Sequence, residues 1–183
     1  VNCAFFGRAG DGKSSLINTI YQAVSRRGVK VSDVGLGQEP KTVRYQCCTE
    51  LDVESLLPLW MADTKGMTNL GSKAEAAMIQ SVLAGRMKTG RVMGRRSLID
   101  ARCAGGRRYK IHVAVFVFAL HRPFPHYLAA QLADHAGRLN VPVVPVMTHV
   151  TTDSPNIQRY KEFCVATFGM TQCFCIDNSQ QGQ

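Results

Sequence analysis

Apolar residues along this chain gather into two alternating kinds of run. Short, nearly unbroken stretches at 1–6, 57–62, 111–120 and 141–147 are bounded by Gly, Pro or polar residues. Continuous apolarity of that length predicts strands covered on both faces. A fifth run, 43–51, mixes in Arg44, Gln46, Thr49 and Glu50, which suits an edge strand, and 172–176 predicts a sixth. Between them the spacing changes to three and four. In 13–26, Leu16, Ile17, Ile20, Ala23 and Val24 fall on one helical face, and 73–87, 127–139 and 156–168 follow the same rule. Ser154-Pro155 is a start signal for the last helix and Gly169 a stop. Strands alternating with helices predict an α/β domain with right-handed crossovers, a mostly parallel six-stranded sheet and helices on both faces.

The junction of the first strand and first helix carries chemistry. Gly7-Arg8-Ala9-Gly10-Asp11-Gly12-Lys13-Ser14 satisfies Gly-x4-Gly-Lys-Ser. Glycines let consecutive amides turn inward, and the helix that starts there adds the positive end of its dipole. Ala9, Gly10, Asp11, Gly12, Lys13, Ser14 and Ser15 are therefore expected to cradle the phosphates of a nucleotide. Lys13 would reach the β and γ phosphates and the Ser14 hydroxyl would ligate Mg²⁺.

Two further motifs extend this site. Leu57-Pro58-Leu59-Trp60-Met61-Ala62-Asp63 leads into Thr64-Lys65-Gly66, an Asp-x-x-Gly at the carboxyl end of a buried strand. Asp63 would hold Mg²⁺ through water, and the Gly66 amide would sense a γ-phosphate. Thr42, ahead of the edge strand, is the best placed hydroxyl to complete the metal shell. The expected fold is a P-loop NTPase of the Ras-like G-domain type, its whole length one domain, with GTP or GDP and Mg²⁺ as cofactors.

After the 141–147 strand comes Thr148-His149-Val150-Thr151-Thr152-Asp153, where ordinary GTPases carry Asn-Lys-x-Asp. Thr-His in that place, with Gly-Lys-Ser-Ser and Asn18 in the first helix and Val113-Ala114-Val115-Phe116-Val117-Phe118 before it, resembles the interferon-induced protein 44 family of large, dynamin-like GTPases. The resemblance implies a cytoplasmic guanine-nucleotide-binding domain associated with interferon responses and innate immunity. Its pattern places an acid directly after Thr-His-Val. Here that position is Thr151, and the next acid, Asp153, stands two residues later. Either Asp153 reaches the base through a bulged loop or guanine is poorly distinguished from adenine. Thr148, His149 and Asp153, with Asn178 and Ser179 after the last strand, are the candidate base contacts.

Catalysis is expected to be weak. Met67 follows Asp-x-x-Gly where small GTPases carry a water-orienting Gln. Lys13 and Arg8 are the candidate catalytic residues, Arg8 either stabilising charge in cis or facing solvent. The alternative to slow hydrolysis is a nucleotide-gated interaction module.

The composition is globular, at 45% hydrophobic and 19% charged residues, and no apolar run reaches the roughly 20 residues of a membrane span. The opening on a strand leads us to expect an excised domain without a secretory leader. The net charge of +9 is concentrated between residues 84 and 110. Arg86, Lys88, Arg91, Arg95, Arg96, Arg102, Arg107, Arg108 and Lys110 there face one acid, Asp100. Such an insert could dock an acidic protein, an anionic lipid or a nucleic acid, or supply an arginine in trans within a nucleotide-dependent homodimer. Seven cysteines fit no zinc spacing and are expected to be reduced core thiols. His112, His121, His126 and His135 are read as structural or surface residues.

Overall fold

The computed structural model describes residues 1–25, 46–48, 59–68, 71–87, 110–151, 154–170 and 172–176. Among them the chain runs β1 (Asn2–Phe6), α1 (Lys13–Ser25), β2 (Gln46–Cys48), β3 (Trp60–Asp63), α2 (Lys73–Leu83), β4 (Val113–Ala119), α3 (His126–Arg138), β5 (Val143–Thr148), α4 (Ile157–Phe168) and β6 (Phe174–Cys175). The strands lie side by side in the order β2-β3-β1-β4-β5-β6. All pairings are parallel except that of β2 with β3.

Alternation along each strand explains the continuous apolar runs. Ala4 and Phe6, Ala62, Phe116 and Phe118, and Met147 project to one face, where α2, α3 and α4 cover them. Phe5, Met61, Val115, Val117 and Val146 project to the other, against Leu16, Ile17 and Tyr21 of α1. Phe116, Phe118 and Phe124 meet edge-on or tilted at centroid distances of 5.1–6.1 Å. Each such buried ring contributes roughly 1.5–3 kcal/mol.

Several boundaries differ from the sequence reading. The expected helix 73–87 stops at Leu83, because Gly85 enters the left-handed region (φ 69°) and the chain leaves the axis. The expected sixth strand shrinks to the two-residue pairing Phe174–Cys175 at the edge, with Phe174 exposed. Five strands of three or more residues thus form the body of the sheet. Four cysteines whose side chains the structure describes are free, but only partly core: Cys164 is buried, Cys3 and Cys173 are half-buried and Cys175 is exposed. Burial pushes the Cys3 and Cys175 thiols above their ordinary range. No group of three potential metal ligands of the His, Cys, Asp or Glu type occurs among the described residues. No described helix is long and apolar enough to cross a membrane.

Because β1, β3, β4 and β5 are parallel, their carboxyl ends share one edge of the sheet. Gly7, Thr64, Leu120 and His149 each follow one of those ends. That edge is where loops of an α/β sheet can converge on a ligand.

Candidate functional site

The phosphate loop leaves β1 at Gly7, packed so closely on β4 that a Cβ there would overlap the Val117 carbonyl. Gly10 and Gly12 hold φ of 81° and 87°, conformations that side chains resist. Leu16 N–H donates to the Gly12 carbonyl at 2.9 Å, opening α1 directly under the loop.

Lys13 is buried, and its Nζ donates to the carbonyls of Arg8 (2.9 Å) and Gly7 (3.3 Å). The ammonium spans the loop at the position expected for phosphate oxygens. Burial pushes its pKa down from the ordinary 10.5, against the pull of Asp63 and Asp11. Ser14 Oγ donates to Asp63 Oδ2 at 2.6 Å, so β3 and α1 bring together the hydroxyl and carboxylate that the sequence assigned to Mg²⁺. One hydroxyl and one acid, with phosphate oxygens and water for the rest, is a donor set that suits this hard cation. The residues fit the group.

Gly66 is wedged against the loop. A Cβ on it would lie 2.5 Å from both the Cα and the nitrogen of Ala9, so only glycine permits the approach. The next residue, Met67, donates its N–H to the Gly7 carbonyl at 3.1 Å, and its side chain is buried in the larger core cluster. Sequence reasoning placed Met67 where a catalytic Gln stands. It did not foresee that this side chain belongs to the core. Thr64 adds a second tie, its Oγ1 donating to the Phe5 carbonyl at 2.6 Å.

Arg8 does not face solvent. It is buried, and its N–H and Nε both donate to Asp11 Oδ2, at 3.0 and 3.2 Å. The reason is Asp11 itself, a carboxylate with no exposed surface that needs counter-charge where it sits. Its other oxygen accepts from Arg122 Nη1 at 3.1 Å. Neither Arg122 nor the burial of Asp11 was legible in the motif.

At the base end, Thr148 is fully buried, and its Oγ1 donates to the Asp11 carbonyl at 2.8 Å across the sheet edge. Thr148, expected as a base contact, ties the strand end to the phosphate loop. His149 follows with φ 53° and an exposed ring set edge-on to that of His121, centroids 4.8 Å apart. Partial burial, then His121, lowers its pKa from the ordinary 6.5, with Asp11 opposing. Ser15 sits in α1, where its carbonyl accepts from Thr19 Oγ1 at 3.0 Å. Thr42, Asp153, Asn178 and Ser179 lie outside the described residues, as does the basic stretch from Lys88 to Tyr109.

No family model matches the chain, and no curated protein matches its sequence. Solved structures do share its fold. A point variant of Aquifex aeolicus Era, bound to GDP and AlF4⁻, aligns at TM-score 0.54 and 17% identity, covering 96% of this chain and 50% of that one. Arabidopsis thaliana Toc33 in complex with GDP and Mg²⁺ aligns at 0.51 and 15%, covering 100% and 72%. A structure of the chloroplast translocon components atToc33 and psToc159, for whose GTPase activity dimerization is important, aligns at 0.52 and 16%, covering 99% and 71%. The chain thus spans about half of Era. These neighbours do not include the interferon-induced protein 44 family; what they share with this chain is the α/β fold with a parallel sheet of Ras-like GTPases.

Proposed function

We propose that this chain is a GTP- and GDP-binding P-loop domain that hydrolyses GTP slowly with Mg²⁺. The observation that carries the reading is the convergence of Lys13, Ser14 and Asp63 at the mouth of a glycine loop. Lys13 exchanges its carbonyl partners for phosphate oxygens. The Ser14 hydroxyl, and the Asp63 carboxylate through water, would hold the cation, which would supply charge neutralisation when bound. The guanine assignment draws on the Thr148-His149 variant of the base motif and on the nucleotides named with the Era and Toc33 structures. Slow turnover follows from Met67, whose thioether can neither orient nor polarise water, and from Arg8, which is engaged by Asp11.

The finer features of the proposal rest on sequence. They are a cytoplasmic location, the interferon-linked role implied by the resemblance, a nucleotide-dependent homodimer and a basic insert that docks an acidic protein, lipid or nucleic acid. The dimer has a parallel in the translocon GTPases. The second reading, a nucleotide-gated interaction module without significant turnover, is favoured by the burial of Met67.

Calorimetric titration tests the assignment. GDP with Mg²⁺ is expected to bind at least about tenfold more tightly than ADP, and Lys13→Ala to weaken GDP by about a hundredfold or more. Comparable GDP and ADP affinities would sink the guanine assignment. Multiple turnover of GTP by the wild type, absent in Lys13→Ala, would exclude the non-hydrolysing module.

A further inference from the structure

We infer that Arg122, which belongs to none of the phosphate-site motifs, is a positioning residue that aims the phosphate loop's amides at the nucleotide. The inference rests on the phosphate-binding reading above and goes beyond it by naming what orients the cradle.

Arg122 follows β4, in the turn closed by its N–H to the Ala119 carbonyl at 3.2 Å. Its guanidinium crosses to the phosphate loop, where Nη1 donates both to the Ala9 carbonyl (2.6 Å) and to Asp11 Oδ1 (3.1 Å). In a planar trans peptide the C=O of one residue and the N–H of the next point in opposite directions. Drawing the Ala9 carbonyl toward Arg122 therefore turns the Gly10 N–H the other way, off the guanidinium. The Thr148 hydroxyl acts on the Asp11 carbonyl in the same manner and turns the Gly12 N–H. Neither the Gly10 nor the Gly12 N–H is spent on a backbone carbonyl among the described residues. Two amides are thus presented by side chains at the ends of adjacent strands.

Charge gives Arg122 a second task. Asp11 places a buried carboxylate inside a loop meant for polyanions, and uncompensated it would repel them. Arg8 takes one oxygen and Arg122 the other. Arg122 is itself fixed from behind, since the Tyr160 hydroxyl of α4 donates to its carbonyl at 3.1 Å. Arginine suits the position because a planar, permanently charged guanidinium brings its one Nη1 to carbonyl and carboxylate together, whereas lysine carries a flexible, strongly hydrated point charge.

The test reads the preference for a diphosphate over a monophosphate, a quantity that general loss of fold does not change. Dissociation constants for GDP and GMP are measured on the wild type, Arg122→Ala, Arg122→Lys and Tyr160→Phe, each with a thermal melt. Arg122→Ala is expected to reduce the GDP-over-GMP preference by about tenfold, Arg122→Lys to recover part of it, and Tyr160→Phe to lose about two- to threefold. An unchanged preference in Arg122→Ala, or in Tyr160→Phe should the alanine variant not fold, overturns the inference. Wild-type protein that prefers adenine overturns the guanine assignment alone, and the same ratio read with ADP and AMP then decides on Arg122. Wild-type protein with no preference for a second phosphate overturns both readings.

Discussion

The two ends of the site are held in different ways. At the phosphate end, the loop is gripped from other segments at Gly7 by β4 and Met67, at Ala9 by Arg122 and Gly66, and at Asp11 by Arg122 and Thr148, with Arg8 of the loop itself also on Asp11. At the base end, the described residues offer a histidine in a left-handed turn and an exposed Thr151. A cradle for phosphate needs fixed dipoles, because preorganised amides lose little on binding. A base edge needs only a wall and one or two polar partners. The contrast teaches that the glycine loop is fixed by the scaffold around it, while the end of β5 leaves His149 and Thr151 after it exposed.

The largest effect expected from breaking this contrast is at Gly7. Gly7→Ala drives a methyl group into the Val117 carbonyl, and overpacking of that kind costs roughly 1–3 kcal/mol. Denaturant unfolding should show the loss, and GDP binding should fall by about a hundredfold or more as the loop shifts. A control is available in Gly137 of α3, where a Cβ meets nothing within 4 Å; alanine there should leave binding unchanged.

Thr148 is the seam between the two ends, and Thr148→Val keeps its shape while removing the donor to Asp11. The expected cost is about 1–2 kcal/mol in unfolding free energy, with GDP and ADP weakened in equal proportion. A loss confined to GDP would show instead that Thr148 acts on the base.

The smallest effect is a pH dependence at His149. Its folded pKa lies below the ordinary 6.5, through burial and then through His121. The neutral ring is therefore the form the fold prefers, and its contribution is intact above pH 6.5 and lost as pH falls through the lower folded value. Asp11 opposes the shift and solvent screens it, so a melt between about pH 7.5 and 5.5 should register a fall of only about 1–2 °C from this group. His149→Asn, which tolerates the left-handed backbone, should flatten the profile.

The strands and helices were largely legible because burial on two faces leaves unbroken apolar runs, as in Val113 to Ala119, while helices leave the three-and-four spacing of Leu16, Ile17 and Ile20. The Ser14–Asp63 meeting was legible for a chemical reason: both residue types answer to one cation. Arg122 and Tyr160 were not, since their partners lie 38 to 113 positions away and no period or spacing records a contact across a sheet edge. The burial of Arg8 was not, although its partner Asp11 stands three residues on, because the motif does not show that Asp11 is buried. Met67 was visible as a departure from a catalytic pattern, but its place in the core depends on the chain continuing in parallel past β1 to bridge Arg8. The early stop of α2 could have been read from Gly85 alone.

Met67 has a thermodynamic consequence. Any rearrangement that lifts Gly66 away from Ala9 must also draw on the residue after it, whose side chain lies in the same core as Phe116 and Leu83. Returning a methionine to water forfeits roughly 1.5–3 kcal/mol. A ligand that shifts this segment must therefore bind the rearranged state about ten- to a hundredfold more tightly than the resting one before the two are equally populated. The core of the domain thereby sets a threshold on any displacement of this segment.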